Sequence, residues 1–203
     1  MKIICVGRNY TEHARELNSE IPEEPVIFLK PDTALLKDNK PFFLPDWSDN
    51  MQHEAEVVFK IGKNGKNIDE KHAAKYISEV TLGIDFTARD LQNKLKAKGL
   101  PWELSKGFDN SAVIGKFIPI SEIKNHSSIA FYLNKNATKV QSGNSADMLF
   151  SIEKLISFIS RYFTLKTGDL IFTGTPEGVS KVVIGDVLTG FLEGEEMFSI
   201  KVK

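Results

Sequence analysis

Short apolar runs separated by turn residues dominate this chain. Residues 2–6 form one such run, ended by Gly7, and residues 25–30 form another. Residues 54–61 lead into the turn Gly62-Lys63-Asn64-Gly65-Lys66, and residues 80–86 follow. Similar runs recur at 112–118, 128–134, 137–141, 168–174, 185–192 and 196–202. All of these read as strands. Helical signals are fewer. Thr11 can cap a helix over 11–17, where Glu12 and Arg15 are spaced as an i,i+3 pair and Pro22 and Pro25 follow as stops. Asp69 is placed to cap a second helix through residue 78. A third runs over 88–98 before Gly99 and Pro101, and an amphipathic fourth covers 151–163. Residues 31–50, with Pro31, Pro41 and Pro45, read as loop. The helices do not alternate with the strands, which argues against a doubly wound sheet. The pattern predicts an α+β, mainly β fold: a mixed β-roll or barrel with a few peripheral helices.

Composition narrows the function classes. The 203 residues carry 26 Lys+Arg against 27 Asp+Glu, so no basic footprint points to nucleic acid. No linker, repeat or low-complexity tract divides the chain, and a single domain over 1–203 is expected. The longest apolar runs fall far short of the roughly 20 residues a membrane span needs. A lone cysteine, Cys5, permits no intrachain disulfide, and the expected location is cytoplasmic. Phe is unusually common, at 14 against 4 Tyr and 2 Trp.

Candidate chemistry begins with His53-Glu54-Ala55-Glu56. On a strand, Glu54 and Glu56 share one face, roughly 6–7 Å apart at Cα. If that face is inward, two carboxylates beside Val57, Val58 and Phe59 need a cation or hydrogen bonds. A hard divalent ion such as Mg²⁺, Mn²⁺ or Ca²⁺ suits all-oxygen ligands better than Zn²⁺ does. If the face is outward, they are ordinary solvated residues. Asp85 ends an apolar run just before a helix, where it can serve as a cap or as a third carboxylate. Arg89 and Gln92, three apart on the following helix, set a guanidinium and an amide beside it, suited to an anion.

Taken in order, seven stretches resemble the fumarylacetoacetate hydrolase family, and in particular its small acylpyruvate hydrolase and oxaloacetate decarboxylase members. They are Gly7-Arg8-Asn9-Tyr10 with His13 and Glu16, Phe28-Leu29-Lys30-Pro31, His53-Glu54-Ala55-Glu56, and Asp85 through Gln92. Lys106-Gly107-Phe108-Asp109, Gln141-Ser142-Gly143-Asn144 with Asp147-Met148, and Gly168 through Val179 complete the set. The resemblance implies a homodimeric β-roll with Mg²⁺ or Mn²⁺ held by Glu54, Glu56 and Asp85. It implies Lys106 as the active-site lysine and His13 with Glu16 as a pair on a lid helix over 8–20. Thr175 would bond a substrate carboxylate. Arg89 and Gln92 would lie near the substrate, with Arg89 either contacting it or supporting a ligand carboxylate. Two departures stand out. Asn134-Lys135-Asn136 replaces the family's Asn-Gly hairpin, and Gln52 stands where relatives often carry another His.

A small 2-oxo or 2,4-dioxo acid is the implied substrate. His13, oriented by Glu16, would activate water to cleave the C3–C4 bond of an acylpyruvate into pyruvate and a carboxylic acid. That makes a metal-dependent C–C hydrolase the first expectation. Oxaloacetate decarboxylation, or tautomerisation of oxaloacetate or a hydroxydienoate, uses the same charge-stabilising core without water activation and is the alternative. A non-catalytic binding module is the remote one, since every site residue is present.

Overall fold

The structure, a computed structural model, describes residues 1–11 and 21–203. The helix expected at 11–17, and with it His13 and Glu16, lies outside the described residues. The largest sheet contains β1 (Ile3–Gly7), β2 (Val26–Lys30), β3 (Leu35–Leu36), β5 (Ala55–Ile61), β6 (Ile77–Asp85), β8 (Ala112–Ile114), β9 (Ile118–Pro119) and β12 (Leu170–Phe172). Its order is β2-β1-β12-β5-β6-β8-β3, with β9 also on β6. It is mixed: β1 and β12 are parallel, as are β3 and β8, whereas β5 pairs antiparallel with both β12 and β6. A second sheet orders β11 (Thr138–Asn144), β10 (Ala130–Lys135), β14 (Val187–Leu192) and β15 (Glu195–Lys201). A third joins β13 (Ser180–Lys181), β4 (Met51–His53) and β7 (Thr87–Ala88). Among the described residues the α-helices are α1 (Arg89–Ala97), α2 (Glu103–Lys106) and α3 (Ile152–Tyr162), and the fold is mainly β as expected.

Strand alternation explains where the site falls. Along β5, Ala55, Val57, Phe59 and Ile61 enter one apolar layer with Ile4, Val6, Val80, Leu82 and Ile84. Val58 enters the layer on the other face, with Ile3, Cys5, Phe28, Leu170 and Phe172. The two-residue period therefore sends Glu56 to this second face, and the same parity on β6 sends Asp85 there. Ala55 pairs with Ile84 and Glu56 with Gly83, so Glu56 and Asp85 are diagonal neighbours on adjacent strands. Lys30 pairs with Ile3 and Phe28 with Cys5, which brings Lys30 to the same face. The apolar layer thus ends in charge.

Several expected elements take a different form. The strand expected over 54–61 breaks at Glu54. The Ala55 N–H bonds the Gln141 side chain (3.0 Å) and its carbonyl accepts from Thr175 (2.8 Å), so side chains replace the ladder on that edge. On the β6 side the Glu54 carbonyl still accepts from the Asp85 N–H (2.8 Å). The helix after Asp69 is a 3-10 helix, Glu70–Tyr76, capped as expected by the Asp69 carboxylate accepting from the Lys71 N–H. The strand expected at 112–118 divides at Gly115, where a Cβ would lie 2.7 Å from the Met197 carbonyl. The departed hairpin keeps a two-residue turn, with Asn136 and Ala137 both at positive φ (52° and 66°). Phe59, Phe86 and Phe172 are fully buried and Phe28 and Phe150 nearly so, which gives the Phe surplus a packing role. No helix among the described residues is long and apolar enough to cross a membrane.

Candidate metal centre and its pocket

Glu54 sits in the gap between β4 and β5, Glu56 is the second residue of β5, and Asp85 ends β6. One oxygen from each lies within 4.8 Å of the others, and all three residues are buried. Lys106, the last residue of α2, spans two of them: its Nζ donates to Glu54 Oε2 at 2.6 Å and to Asp85 Oδ2 at 2.7 Å. Lys30 Nζ lies 2.7 Å from Asp85 Oδ1 and is held by Ser111 Oγ (2.9 Å) and the Lys106 carbonyl. Arg89, at the start of α1, pairs through Nη2 with Glu54 Oε1. Its Nη1 donates to Gln92 Oε1 (2.6 Å) and its Nε to Gln52 Oε1 (2.8 Å). Gln52 therefore anchors the guanidinium that orients Glu54.

Glu56 is supported differently. Its Oε2 accepts the Gly174 N–H at 2.7 Å, and no lysine or arginine pairs with it among the described residues. Gly174 adopts φ +95°, and a Cβ there would lie 2.8 Å from Asn9 Cβ, so only glycine can aim its N–H this way. Burial, then the Asp85 and Glu54 charges, push the Glu56 carboxyl well above the ordinary carboxylate range. Burial works against the Lys106 ammonium, but Asp85 and Glu54 outweigh it and hold this lysine protonated. Three buried carboxyl groups form a hard oxygen donor set, one of them with no cationic partner among the described residues, which fits Mg²⁺ or Mn²⁺.

Thr175 is buried beside the cluster with its hydroxyl tied to the scaffold. It donates to the Ala55 carbonyl and accepts from Gln141 Nε2, both at 2.8 Å. Gln141 also donates to the Pro176 carbonyl (3.1 Å), which fixes its amide orientation and leaves Oε1 to accept from Ala55 N and His53 Nδ1 (2.8 Å). His53 is thus the neutral Nδ1–H tautomer, with Nε2 accepting from Ser180 Oγ at 2.7 Å. Burial lowers its pKa to about 4. Gln141 and His53 brace the strand break that presents Glu54.

The pocket over the carboxylates brings together Lys106, Arg89, Gln92 and Thr175 from the sequence-predicted set, and adds Arg8, Lys96, Phe28 and Trp102. His13 and Glu16 lie outside the described residues. Sequence reasoning passed over Lys30, Arg8, Lys96 and Gln141 as side chains with a task. Two of these left a trace: Lys30 puts a charge in an apolar strand, and Lys96 is seven residues after Arg89, on the same helical face.

A mainly β chain with a buried three-carboxylate centre beneath a small cation-lined pocket defines a class of proteins able to hold a hard divalent ion beside a small anion. The chain belongs to the fumarylacetoacetate hydrolase family: residues 2–200 match the family described as "Fumarylacetoacetate (FAA) hydrolase C-terminal". It is 40% identical over 201 residues to the mitochondrial oxaloacetate tautomerase FAHD1 of Mus musculus, covering 99% of this chain and 91% of that one. It is 45% identical over 188 residues to the mitochondrial oxaloacetate decarboxylase of Dictyostelium discoideum, covering 92% and 86%. Among solved structures, fumarylpyruvate hydrolase of Pseudomonas aeruginosa in complex with Mn²⁺ and pyruvate aligns with a TM-score of 0.95 and 35% identity, over 100% of this chain and 89% of that one.

Proposed function

We propose that this protein is a divalent-cation-dependent oxaloacetate tautomerase, interconverting the keto and enol forms of a four-carbon 2-oxo diacid. The observation that carries this reading is the Lys106 ammonium spanning Glu54 and Asp85 in a buried three-carboxylate centre. A Mg²⁺ or Mn²⁺ ion held by Glu54, Glu56 and Asp85 would supply Lewis acidity toward the 2-oxo acid. Lys106 then stabilises the negative charge that moves from C3 to the 2-oxygen and can hold a proton there. Arg89 and Lys30 orient Glu54 and Asp85, so the centre need not reorganise as charge develops. Phe28 and Trp102 form an apolar wall that limits water.

The C–C hydrolase expected first from the sequence rests on His13 and Glu16, whereas the curated relatives above are named for oxaloacetate chemistry without water addition. Decarboxylation is the second reading, favoured by the 45% identical relative named for it. The deciding experiment follows oxaloacetate enol absorbance and pyruvate release together, with Mg²⁺ or Mn²⁺ and a metal-only control. Metal-dependent loss of enol signal without matching pyruvate is expected. Pyruvate appearing as fast as the enol disappears would replace tautomerase with decarboxylase, and no acceleration over the control would reject both.

A further inference from the structure

We infer that Arg8 and Lys96 form a second anion subsite in the pocket, which takes the distal carboxylate of a dianionic 2-oxo acid and steers the site away from decarboxylation. The inference rests on the tautomerase reading for its choice of substrate, and on a charge inventory for its location.

Among the described residues, five cationic side chains lie around the three carboxylates, and three of them pair directly with Glu54 or Asp85. Lys30 and Lys106 are tied to Asp85, Lys106 also to Glu54, and Arg89 to Glu54, Gln52 and Gln92. Arg89 was the cation expected from the sequence to meet the substrate, and three of its five N–H groups already hold Gln52, Gln92 and Glu54. Arg8 and Lys96 line the same pocket, and neither has a carboxylate partner among the described residues. Arg8 Nε is buried with no hydrogen-bond acceptor among the described residues. Such a donor is costly unless a ligand supplies the acceptor.

The backbone holds both groups in place. Arg8 follows β1 at φ 61°, a left-handed conformation that is uncommon for any residue other than glycine. The next residue pins it there: Asn9 is fully buried, its amide donates to the Phe150 and Thr173 carbonyls (3.1 and 2.8 Å), and its Oδ1 accepts from Phe150 N (2.8 Å). Lys96 shares its helix face with Arg89 and Gln92 and lies 5.1 Å from the Trp102 ring centroid. Trp102 in turn packs against Gly7, where a Cβ would meet its ring at 3.3 Å. One indole therefore separates and spaces the Arg8 strand and the Lys96 helix. Burial, then Arg89 and Arg8, lower the Lys96 pKa to about 8, a burden that a bound carboxylate would relieve.

The chemical consequence follows from where charge goes. Losing CO₂ requires the distal carboxylate to surrender its negative charge to C3. Two cations on that carboxylate stabilise the charge where it is and raise the cost of releasing it. Tautomerisation moves a proton between C3 and the 2-oxygen and leaves the distal carboxylate intact, so the same pair does not oppose it.

The test compares L-malate with L-lactate, which share the 2-hydroxy acid head but differ in the distal carboxylate, by calorimetric titration of the protein with Mg²⁺. Each charge-assisted contact is worth roughly ten- to hundredfold in affinity. Wild-type protein should bind malate at least roughly tenfold tighter than lactate, and Arg8→Gln and Lys96→Gln should each cut that ratio roughly tenfold. Lactate affinity should stay within about twofold in both variants, which also reports that the centre is folded. With oxaloacetate, both variants should release a larger share of pyruvate. A wild-type ratio near one, or variants that weaken both ligands alike, would overturn the subsite. If the wild type leaves oxaloacetate unchanged while the malate preference still depends on Arg8 and Lys96, the subsite stands and the tautomerase reading falls. If the wild type tautomerises oxaloacetate and the preference survives both substitutions, the reverse holds.

Discussion

Replacing Lys106 with Met tests the electrostatic core most directly. The ammonium makes two short charge-assisted bonds, 2.6 Å to Glu54 and 2.7 Å to Asp85, in a region where its own side chain is 4% exposed. Breaking a buried ion pair by removing one partner costs about 3–5 kcal/mol. The lower end applies, because Arg89 still pairs with Glu54 and Lys30 with Asp85. About 3 kcal/mol corresponds to a fall in Tm of roughly 6–12 °C for a domain of this size. The loss must also depend on pH. In the variant, Glu56 loses the Lys106 charge that favours its ionised form. Its carboxyl then holds a proton still more tightly when folded than when unfolded, and stability declines further as pH rises. The gap from wild type should therefore be wider at pH 8 than at pH 5. Saturating Mg²⁺ supplies positive charge to the same oxygens and, at about 100 times Kd, returns about 2.7 kcal/mol. Calorimetric melting of both proteins at the two pH values, with and without Mg²⁺, measures each quantity. Turnover should be lost in the variant even when Mg²⁺ restores Tm. A metal-free variant melting within about 2 °C of wild type at pH 8 would refute the bridging role.

Other substitutions separate the remaining parts. Glu56→Ala should abolish Mg²⁺ or Mn²⁺ binding and all turnover; a variant that binds metal and stays active would refute the ligand assignment. Gly174→Ala should weaken metal binding roughly 10–100-fold by displacing the N–H that orients Glu56, as calorimetric titration would show. His53 has a folded pKa of about 4, below the unfolded value, so its contribution is complete above about pH 6.5 and is lost on acidification toward pH 4. Urea unfolding should show about 2 kcal/mol less stability from this source at pH 5 than at pH 7.5, and His53→Gln should lack that slope. His13→Ala should abolish any acetylpyruvate cleavage while metal binding survives; unchanged cleavage would remove His13 from the chemistry.

What could be read from the chain depended on how local the cause was. Glu56 and Asp85 were legible only in part: strand parity ties the faces of neighbouring residues, but it left open whether that face turns inward, and both were named as ligands by resemblance. Glu54 was found for a partly mistaken reason. It was placed on one strand with Glu56, whereas Gln141 and Thr175 capture the Ala55 backbone and break that strand. No pattern near Glu54 announces an amide 87 residues away. The same holds for Lys30 and Asp85, which meet although β1, β12 and β5 lie between their strands, a contact that only the curl of the sheet and two long-range pairings create. Short strands such as β3, β7 and β13 exist by virtue of their partners, and two residues carry no period. The four residues of α2 are likewise too few to show one, so Lys106 was recognised by resemblance to a family motif, not by its own surroundings.

The arrangement of charge divides the site into a part that is finished and a part that is open. Glu54 and Asp85 each have two cationic partners, and these hold both carboxylates in fixed orientations. Glu56 faces the same point with one backbone N–H and no such partner among the described residues. A divalent ion therefore gains most from Glu56 and finds the other two oxygens already aimed, which is how a preorganised centre limits the cost of binding. This inner arrangement is indifferent to the substrate's far end, since decarboxylation, tautomerisation and, once water has added at C4, hydrolysis all move charge onto a 2-oxo oxygen. The choice among them has to be made farther out, by whatever meets C4 and its substituents. Arg8 and Lys96 are the uncommitted charges on the pocket wall, and a lid that brought His13 over the same space would add a base where they add cations. On the proposed subsite, a few residues at the pocket's rim would set the reaction type over the same carboxylates and lysine.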